Sequence, residues 1–440
     1  MHRILNGLIW FGLLSSQVLY VQVLHFDFGA SAPTNGAIQI QDPLPYSISH
    51  TYGFEPGHDV LSFNPVVNQK AKNSVRSTSP FFFSSKLAEG NYKVTLVLGS
   101  ARDSSSTLVR VENRRLMSAL IRCKAGQFKT IQFNVHLRDS LIHATGNKIR
   151  LKPRERAYFH WDEKLTLEFN GPAPAVSSIH IEPLREATTV FLAGNSTVVD
   201  QAEEPYAAWG QIIPSFFKSD RVVIANYAES GEALSSFRSE RRLEKVLSLM
   251  KSGDYLFIEF GHNDQKQQGP GIGAFSSYKR DLQEYIKAVR AKGGIPVLVT
   301  SMHRRNFDAN GKIVNTLGDY PEAVRQVAQE EKTALIDLNA LSQILYEAWG
   351  REASQSAFVI YPANTFPGQT EALNDNTHFN PYGAWQIARC IAGGIAAQKL
   401  PLAKALLPQF RRFNPAQPDP LQAWYWPLSP RMNLKRPDEN

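Results

Sequence analysis

Residues 189–194 of the chain read TVFLAG and are followed directly by Asn195, Ser196 and Thr197. An almost continuous apolar run of this length, ending in glycine, is typical of a strand that is buried on both faces of a parallel sheet. In open parallel sheets, ligands bind beyond the carboxyl ends of the strands. The stretch therefore predicts the fold of this part of the chain and the sheet edge where its polar residues gather.

Four further apolar runs follow, separated by segments with helical periodicity, which is the spacing of βαβ units. With the first run, the predicted parallel strands are 189–193, 222–225, 255–260, 296–300 and 334–338. The helical segments carry apolar residues on one face, for example Leu243, Val246 and Met250. We expect a three-layer α/β domain over residues 185–400.

The preceding residues, 25–184, alternate apolar and polar side chains with period two. Tyr92, Val94, Leu96 and Leu98 repeat in this way, as do Ile131, Phe133 and Val135. Many short strands without intervening helices indicate an antiparallel β-sandwich. The chain, at 440 residues, is long enough for two such domains.

The charge balance restricts the class of partner. The chain has 48 Lys and Arg against 40 Asp and Glu, a net charge of +8, without long basic blocks. No nucleic-acid-binding motif accompanies this excess, so we expect no nucleic-acid partner and favour a polyanionic substrate. The two cysteines, Cys123 and Cys390, fall in different predicted domains, which disfavours a structural disulfide.

Both ends of the chain have distinctive compositions. Residues 1–24 carry Arg3 and then an apolar run, which is typical of a secretory signal peptide, so we expect a secreted or periplasmic protein with no stable membrane partner. A retained membrane anchor is the competing interpretation. Residues 401–440 form a tail rich in proline and aromatics, which we expect to pack on a domain. The apolar side chains predicted to bury it are Leu421, Trp424, Tyr425 and Trp426.

Polar residues suited to nucleophilic catalysis follow the predicted strands. Ser196 follows the first strand, where a tight strand-to-helix turn would present its hydroxyl at a helix N-terminus. Serine needs a base, normally a histidine that is oriented by a carboxylate, and Asp375 and His378 offer that pair. The alternatives are a serine that only caps a helix and a metal site. The metal site is disfavoured because Asp-x-x-His lacks the two-histidine spacing of zinc hydrolases.

Acyl transfer also requires donors for the oxyanion. The backbone N–H groups of Ser196 and Gly231 and the side-chain amide of Asn263 are candidates, since glycine permits close approach and asparagine donates without adding charge. Simple turn or loop-capping roles are the alternatives for Gly231 and Asn263.

These blocks resemble those of the SGNH (GDSL-like) hydrolases. The segments GNST at 194–197, FGHND at 260–264 and DNTHFN at 375–380 are similar to those of rhamnogalacturonan acetylesterases, carbohydrate esterase family 12, and the resemblance spans about residues 187–400. It implies a flavodoxin-like domain that deacetylates the rhamnogalacturonan of pectin, with Ser196, His378 and Asp375 as triad. The N-terminal half is more loosely similar to the galactose-binding-like β-sandwich that precedes some of these esterases.

One residue departs from the family pattern. Asn195 stands where the family has an Asp before the nucleophile. Asparagine keeps the shape and one acceptor but loses the charge, so we expect a bracing role to survive and activity to persist.

Arg304 and Arg305 follow the predicted strand at 296–300, and with His262 they are the candidate substrate-binding residues. Guanidinium groups bind carboxylates through two parallel hydrogen bonds, which would suit a galacturonate beside the acetylated sugar; a solvated loop pair is the alternative. We expect an esterase of acetylated pectic poly- or oligosaccharide that needs no cofactor and no metal. The competing functions are a non-catalytic carbohydrate-binding protein with a decayed esterase site and an esterase of another acetylated glycan.

Overall fold

The computed structural model describes residues 23–28, 36–56, 62–63, 74–219, 221–434 and 436–437. The predicted signal peptide therefore lies outside the described residues except for its last two. Leu24, the final residue assigned to it, begins the first strand and is buried. Among the helices of the described ranges, none combines the length and the hydropathy needed to cross a membrane.

The N-terminal half is built from strands. They are β1 Leu24–Phe28, β2 Ile38–Ile40, β3 Tyr52–Phe54, β4 Ser62–Phe63, β5 Val75–Arg76, β6 Phe81–Lys86, β7 Gly90–Gly99, β8 Ser105–Val111, β9 Arg115–Leu116, β10 Ile121–Cys123, β11 Phe128–Leu137, β12 Leu141–Ile142, β13 Asn147–Lys148, β14 Lys164–Ala173 and β15 Ala175–Pro183.

These strands form two packed sheets, apart from the β12–β13 hairpin. One has the order β11-β7-β15-β1-β2, with β5 beside β15 and β4 beside β5, and the other has the order β10-β8-β14-β6-β3, with β9 beside β8. In β7, Tyr92, Val94, Leu96 and Leu98 point into the core while the residues between them are half-buried. The period-two prediction of a β-sandwich is confirmed.

The C-terminal half alternates strands and helices. Its strands are β16 Thr188–Gly194, β17 Val222–Asn226, β18 Tyr255–Glu259, β19 Ile295–Val299, β20 Ala334–Ile336, β21 Phe358–Tyr361 and β22 Leu373–Phe379. Its helices are α1 Trp209–Ile212, α2 Leu234–Ser239, α3 Arg242–Leu249, α4 Lys279–Ala291, α5 Tyr320–Glu330, α6 Leu338–Ala353 and α7 Pro381–Ala397.

The first five of these strands form a parallel sheet of order β17-β16-β18-β19-β20. Helices α1, α6 and α7 contribute to the core on one face, and α2 to α5 contribute to the core on the other, so the predicted three-layer α/β fold is confirmed. The strand predicted at 334–338 was too long. It ends at Ile336 because the Asp337 carboxylate accepts from the Ala340 backbone N–H, 3.2 Å away, and begins α6.

The C-terminal tail packs on the α/β domain and reaches the sandwich. Phe410 stacks on Phe216 with ring centroids 3.9 Å apart, and Trp426 lies under the Arg110 guanidinium of the sandwich at 3.8 Å. Burial of Leu421 and Tyr425 was wrongly predicted, since they are 42% and 45% exposed. The tail is largely extended there, so Trp424 and Trp426 face the core while Tyr425 between them faces solvent.

Candidate active site

Three side chains from distant parts of the chain form a continuous hydrogen-bonded series. Ser196 follows β16, whereas Asp375 and His378 lie on β22. The Ser196 Oγ is 2.8 Å from His378 Nε2, and His378 Nδ1 is 2.8 Å from Asp375 Oδ2. All three residues are buried. The structure therefore brings together the hydroxyl, imidazole and carboxylate that the sequence singled out.

The local structure around Ser196 differs from the expected helix N-terminus. The backbone N–H groups of Val198 and Val199 both donate to the Asn195 carbonyl at 3.0 Å, which closes a single turn. The turn does not continue as a helix. Arg115 and Asn226 bind the Asp200 carboxylate and fix the chain directly after the turn. Ser196 is thus presented on a tight turn rather than at the start of a helix.

Asp375 is held in its ionised form. Burial raises the pKa of this carboxyl, but the hydrogen bonds from the His378 ring and from the backbone N–H groups of His378 and Thr377 outweigh burial and leave the pKa below its usual value. An ionised Asp375 accepts from His378 Nδ1–H. This fixes the tautomer in which Nε2 accepts the serine proton.

The candidate oxyanion donors lie on two adjoining loops. Gly231, which follows β17, has a φ of 82°, a left-handed conformation that favours glycine. The Asn263 side-chain amide donates to the Glu232 carbonyl at 3.1 Å, which ties its loop to the turn that contains Gly231. Asp264 braces the same junction by accepting from the backbone N–H groups of Leu234 and Gly261 at 2.9 and 2.8 Å. Gly231 and Asn263 therefore sit at one junction, as the sequence predicts.

A buried carboxyl group that sequence reasoning missed lies beneath the nucleophile turn. Glu259, the last residue of β18, is fully buried and contacts Thr197 Oγ1 at 2.9 Å and Trp209 Nε1 at 2.6 Å. Burial raises its pKa from 4.5 to about 7. An acidic residue inside an otherwise apolar strand was the signal that could have revealed it.

The contacts of the Thr197 hydroxyl favour the protonated form of Glu259. The Thr197 hydroxyl lies 2.9 Å from Asn195 Oδ1 as well as 2.9 Å from Glu259 Oε1, but it has one proton. The Asn195 oxygen also accepts from the Thr197 backbone N–H at 3.1 Å, which fixes the orientation of the amide. Both contacts contain a hydrogen only if Glu259 is protonated and donates to Thr197.

The sandwich domain contributes directly to the loop after the nucleophile. Arg114 donates to the carbonyls of Gln201 and Tyr206 at 3.2 and 3.0 Å, and its guanidinium is 2.6 Å from the Glu204 carboxylate. Gln201 in turn donates to the Ser196 carbonyl at 2.9 Å. The N-terminal domain is therefore structurally joined to the site, which the sequence did not indicate.

Known proteins share sequence with the part of the chain that carries this site. Residues 192–385 match the model of the GDSL-like lipase/acylhydrolase family. The rhamnogalacturonan acetylesterase RhgT of Bacillus subtilis is 42% identical over 226 residues, which are 51% of this chain and 96% of that protein. A probable rhamnogalacturonan acetylesterase of the same organism, YesY, is 33% identical over 224 residues, 50% of this chain and 98% of that protein.

The chain belongs to the GDSL-like lipase/acylhydrolase family. Among solved structures, it is similar to the B. subtilis protein YxiM, with 23% identity, a TM-score of 0.44, and coverage of 86% of this chain and 99% of that chain. Members of this family are ester hydrolases, so the protein is an enzyme of the carboxylic ester hydrolase class.

The residue that departs from the family pattern, Asn195, has an incompletely satisfied side chain. It is fully buried, its Oδ1 holds the nucleophile turn, and its Nδ2 has no hydrogen-bond partner among the described residues. The bracing contact that we expected to survive the loss of charge is thus present.

The three candidate substrate-binding residues have different surroundings. Arg305 donates to Ser354 Oγ and Asn376 Oδ1, both at 2.9 Å, and to the Arg351 carbonyl, so it braces the strand that carries Asp375 and His378. Arg304 is half-buried and donates to the Thr316 carbonyl at 3.2 Å. His262 is buried, and burial together with the nearby Arg304 and His378 holds its pKa well below the usual value. Their contact with substrate stays a prediction.

A grouping of residues that could ligate a metal occurs away from the triad within the described part of the chain. Glu89, Asp139 and His143 offer oxygen and nitrogen atoms within 4.8 Å of one another. The Lys245 ammonium lies 2.6 Å from Glu89 Oε1 and 2.9 Å from Asp139 Oδ1. A cationic side chain therefore already balances these carboxylates and joins α3 to the sandwich.

Proposed function

We propose that this enzyme is a carbohydrate esterase that removes acetyl groups from pectic polysaccharide, with rhamnogalacturonan as the substrate. The observation that carries the proposal is the Ser196–His378–Asp375 series, with both distances at 2.8 Å. The substrate class is supported by the 42% and 33% identity to the two B. subtilis proteins named above, and the +8 charge suits an acidic polysaccharide.

The arrangement supports an acyl-enzyme route. His378 Nε2 takes the proton of Ser196 Oγ as that oxygen attacks the acetyl carbonyl, and the tetrahedral oxyanion is stabilised by N–H groups of Ser196, Gly231 and Asn263. The bond to the sugar oxygen breaks, and His378 returns its proton to that oxygen. Water, deprotonated by His378, then attacks the acetyl-serine and releases acetate while Ser196 regains its proton.

The experiment is a measurement of acetate released from acetylated rhamnogalacturonan, xylan and chitin, and from a small aryl acetate. We expect turnover of the aryl acetate and the highest kcat/KM on rhamnogalacturonan. Preference for xylan or chitin would replace the pectic substrate with another acetylated glycan. A protein that retains polysaccharide but releases no acetate from any of the four would be the non-catalytic binding protein.

The proposal extends to a contact with galacturonate. Arg304 follows β19 at the catalytic edge of the sheet, and its guanidinium reaches the His262 carbonyl at 3.4 Å, which places it beside the loop that carries Asn263. Replacing Arg304 with Ala should raise KM on acetylated pectic fragments without raising KM for a neutral aryl acetate. An unchanged KM on the pectic fragments would refute this role.

We also propose that residues 1–24 direct export and are removed. The support is the basic start followed by an apolar run. N-terminal sequencing of exported protein should give a mature chain that begins near His25. Protein retained in membranes with residues 1–24 intact would indicate an anchor instead.

A further inference from the structure

The end of the C-terminal tail returns to the catalytic carboxylate. Arg436 Nε lies 2.9 Å from Asp375 Oδ2, the same oxygen that accepts from His378 Nδ1. Arg436 Nη2 is 3.4 Å from Asp375 Oδ1 and 3.5 Å from Thr377 Oγ1. The catalytic Asp is therefore contacted by the imidazole on one side and by a guanidinium from the tail on another.

The segment before this arginine, residues 424–434, is anchored on one buried residue, and together with Arg436 we call it the strap. Glu204 Oε1 accepts from Trp426 Nε1 at 2.8 Å and from the Ser429 backbone N–H at 3.1 Å. The backbone N–H of Glu204 donates to the Arg431 carbonyl at 2.9 Å, and its carbonyl accepts from the Asn433 N–H at 3.0 Å. Four hydrogen bonds to one residue fix the path of the strap a few residues before Arg436.

The sandwich domain holds the strap from the other side. Arg110 donates to the Pro427 carbonyl, and Asn170 Nδ2 donates to the Leu428 carbonyl at 3.0 Å. Arg110 itself is fully buried and paired with Glu168 at 2.8 Å. Because both domains contribute anchors, the strap is a built element of the site and not a loosely attached end.

A donor on Asp375 has two physical effects. It fixes the rotation of the carboxylate, so that Oδ2 stays directed at His378, and its positive charge offsets part of the negative charge that stabilises the imidazolium. Among the described residues, the Ser196 hydroxyl, His262 and Tyr206 also face the pair, and the Tyr206 ring lies edge-on to His378 at 5.9 Å. His262 is neutral because burial depresses its pKa, so Arg436 is the cation that these contacts place against Asp375.

We propose that Arg436 is a positioning residue of the catalytic triad, held by the strap so that it orients Asp375 and places a positive charge beside the Asp375–His378 pair. This inference rests on the proposed esterase function. It assigns to the C-terminal tail, which lies beyond the family match at 192–385, a part in the chemistry.

The test is the pH profile of kcat/KM on a small neutral aryl acetate for wild type, Arg436→Gln, Arg436→Lys and Arg431→Gln. Loss of the cation in Arg436→Gln should move the acid limb of the profile to higher pH by about half to one unit. It should also lower kcat by about 3- to 10-fold. Arg436→Lys keeps the charge and should restore the wild-type acid limb, although its single nitrogen orients the carboxylate less well.

Arg431→Gln is the matched control. Arg431 is also an arginine of the strap, but its guanidinium stacks on Phe159 at 4.0 Å instead of meeting Asp375. We expect its acid limb to match wild type. An Arg436→Gln enzyme with the wild-type acid limb would overturn the inference, as would an equal shift in Arg431→Gln.

Failure of the inference is distinguishable from failure of the proposed function. If wild type hydrolyses the aryl acetate and the Arg436 variants follow the same profile, only the positioning role is wrong. If wild type hydrolyses no ester, the esterase function itself is wrong. Thermal midpoints measured on the same variants separate a loss of folded protein from a change in the chemistry.

Discussion

Replacing Glu259 with Gln should change the pH dependence of stability in a defined direction. The neutral carboxyl inferred for Glu259 and the Gln amide present the same pattern, one donor toward Thr197 Oγ1 and one acceptor toward Trp209 Nε1. The substitution therefore keeps the contacts beneath the nucleophile turn but removes the group that titrates.

The magnitude follows from the pKa of Glu259, which burial raises from 4.5 to about 7. Between these values the native protein holds the proton more tightly than the unfolded chain, so the free energy of unfolding of wild type falls as pH rises through this window. Each unit of pKa difference corresponds to about 1.4 kcal/mol, which gives a loss of up to about 3 kcal/mol. Glu259→Gln lacks this loss. Its free energy of unfolding relative to that of wild type should therefore increase by up to that amount as the pH rises through this window.

The assay is guanidinium unfolding of wild type and Glu259→Gln at pH 5 and pH 8. We expect nearly equal stabilities at pH 5 and a more stable variant at pH 8. Glu229 and Asp264 also have pKa values raised to about 7, but they are present in both proteins and cancel in the difference. Glu259→Ala, which leaves Trp209 without its acceptor, should be less stable than Glu259→Gln at both pH values. A difference in free energy of unfolding between wild type and Glu259→Gln that does not vary with pH would refute the inference that Glu259 is neutral.

Three other substitutions test the site and its support. Asp375→Asn should lower kcat on an aryl acetate by about 10⁴-fold, since His378 loses the partner that fixes its tautomer; a fall below 10-fold would contradict this. Asn263→Ala should lower kcat by about 10²- to 10³-fold with little change in KM, and a change confined to KM would exclude the oxyanion role. Gly210→Ala should destabilise the protein by about 2 kcal/mol in urea unfolding, although alanine favours helices, because the added Cβ would lie 2.1 Å from the Val198 carbonyl; an unchanged midpoint would show that this contact relaxes.

The fold was predictable because the number of buried faces of a strand determines how apolar residues are distributed along it. Strands covered on both faces are continuously apolar, as in Val222–Asn226, and strands covered on one face alternate, as in Gly90–Gly99. The predicted secondary structure was wrong where polar contacts end a strand or a helical turn. Asp337 stops β20 early by capping α6, and the bonds to Asp200 prevent a helix after Ser196.

The Ser196–His378–Asp375 series could be proposed from the sequence because its residue types are rare in combination and Ser196 lies directly after a buried strand. The supporting groups were not, since Arg114 lies in a short polar turn of the sandwich and Arg436 lies in a tail without a motif. Their roles depend on contacts across 92 and 61 residues of sequence, to Tyr206 and Asp375. Such pairings leave no periodicity in the sequence, so only the folded arrangement reveals them.

We infer that Ser196, activated by His378 and Asp375, is the nucleophile of an esterase. The most direct measurement is kcat for acetate release from an aryl acetate by wild type, Ser196→Ala and, as a control, Ser215→Ala, whose hydroxyl bonds the Ile212 carbonyl near α1. We expect a fall of about 10⁴- to 10⁶-fold in Ser196→Ala and no change in Ser215→Ala. A folded Ser196→Ala protein that releases acetate at a rate near that of wild type would contradict it.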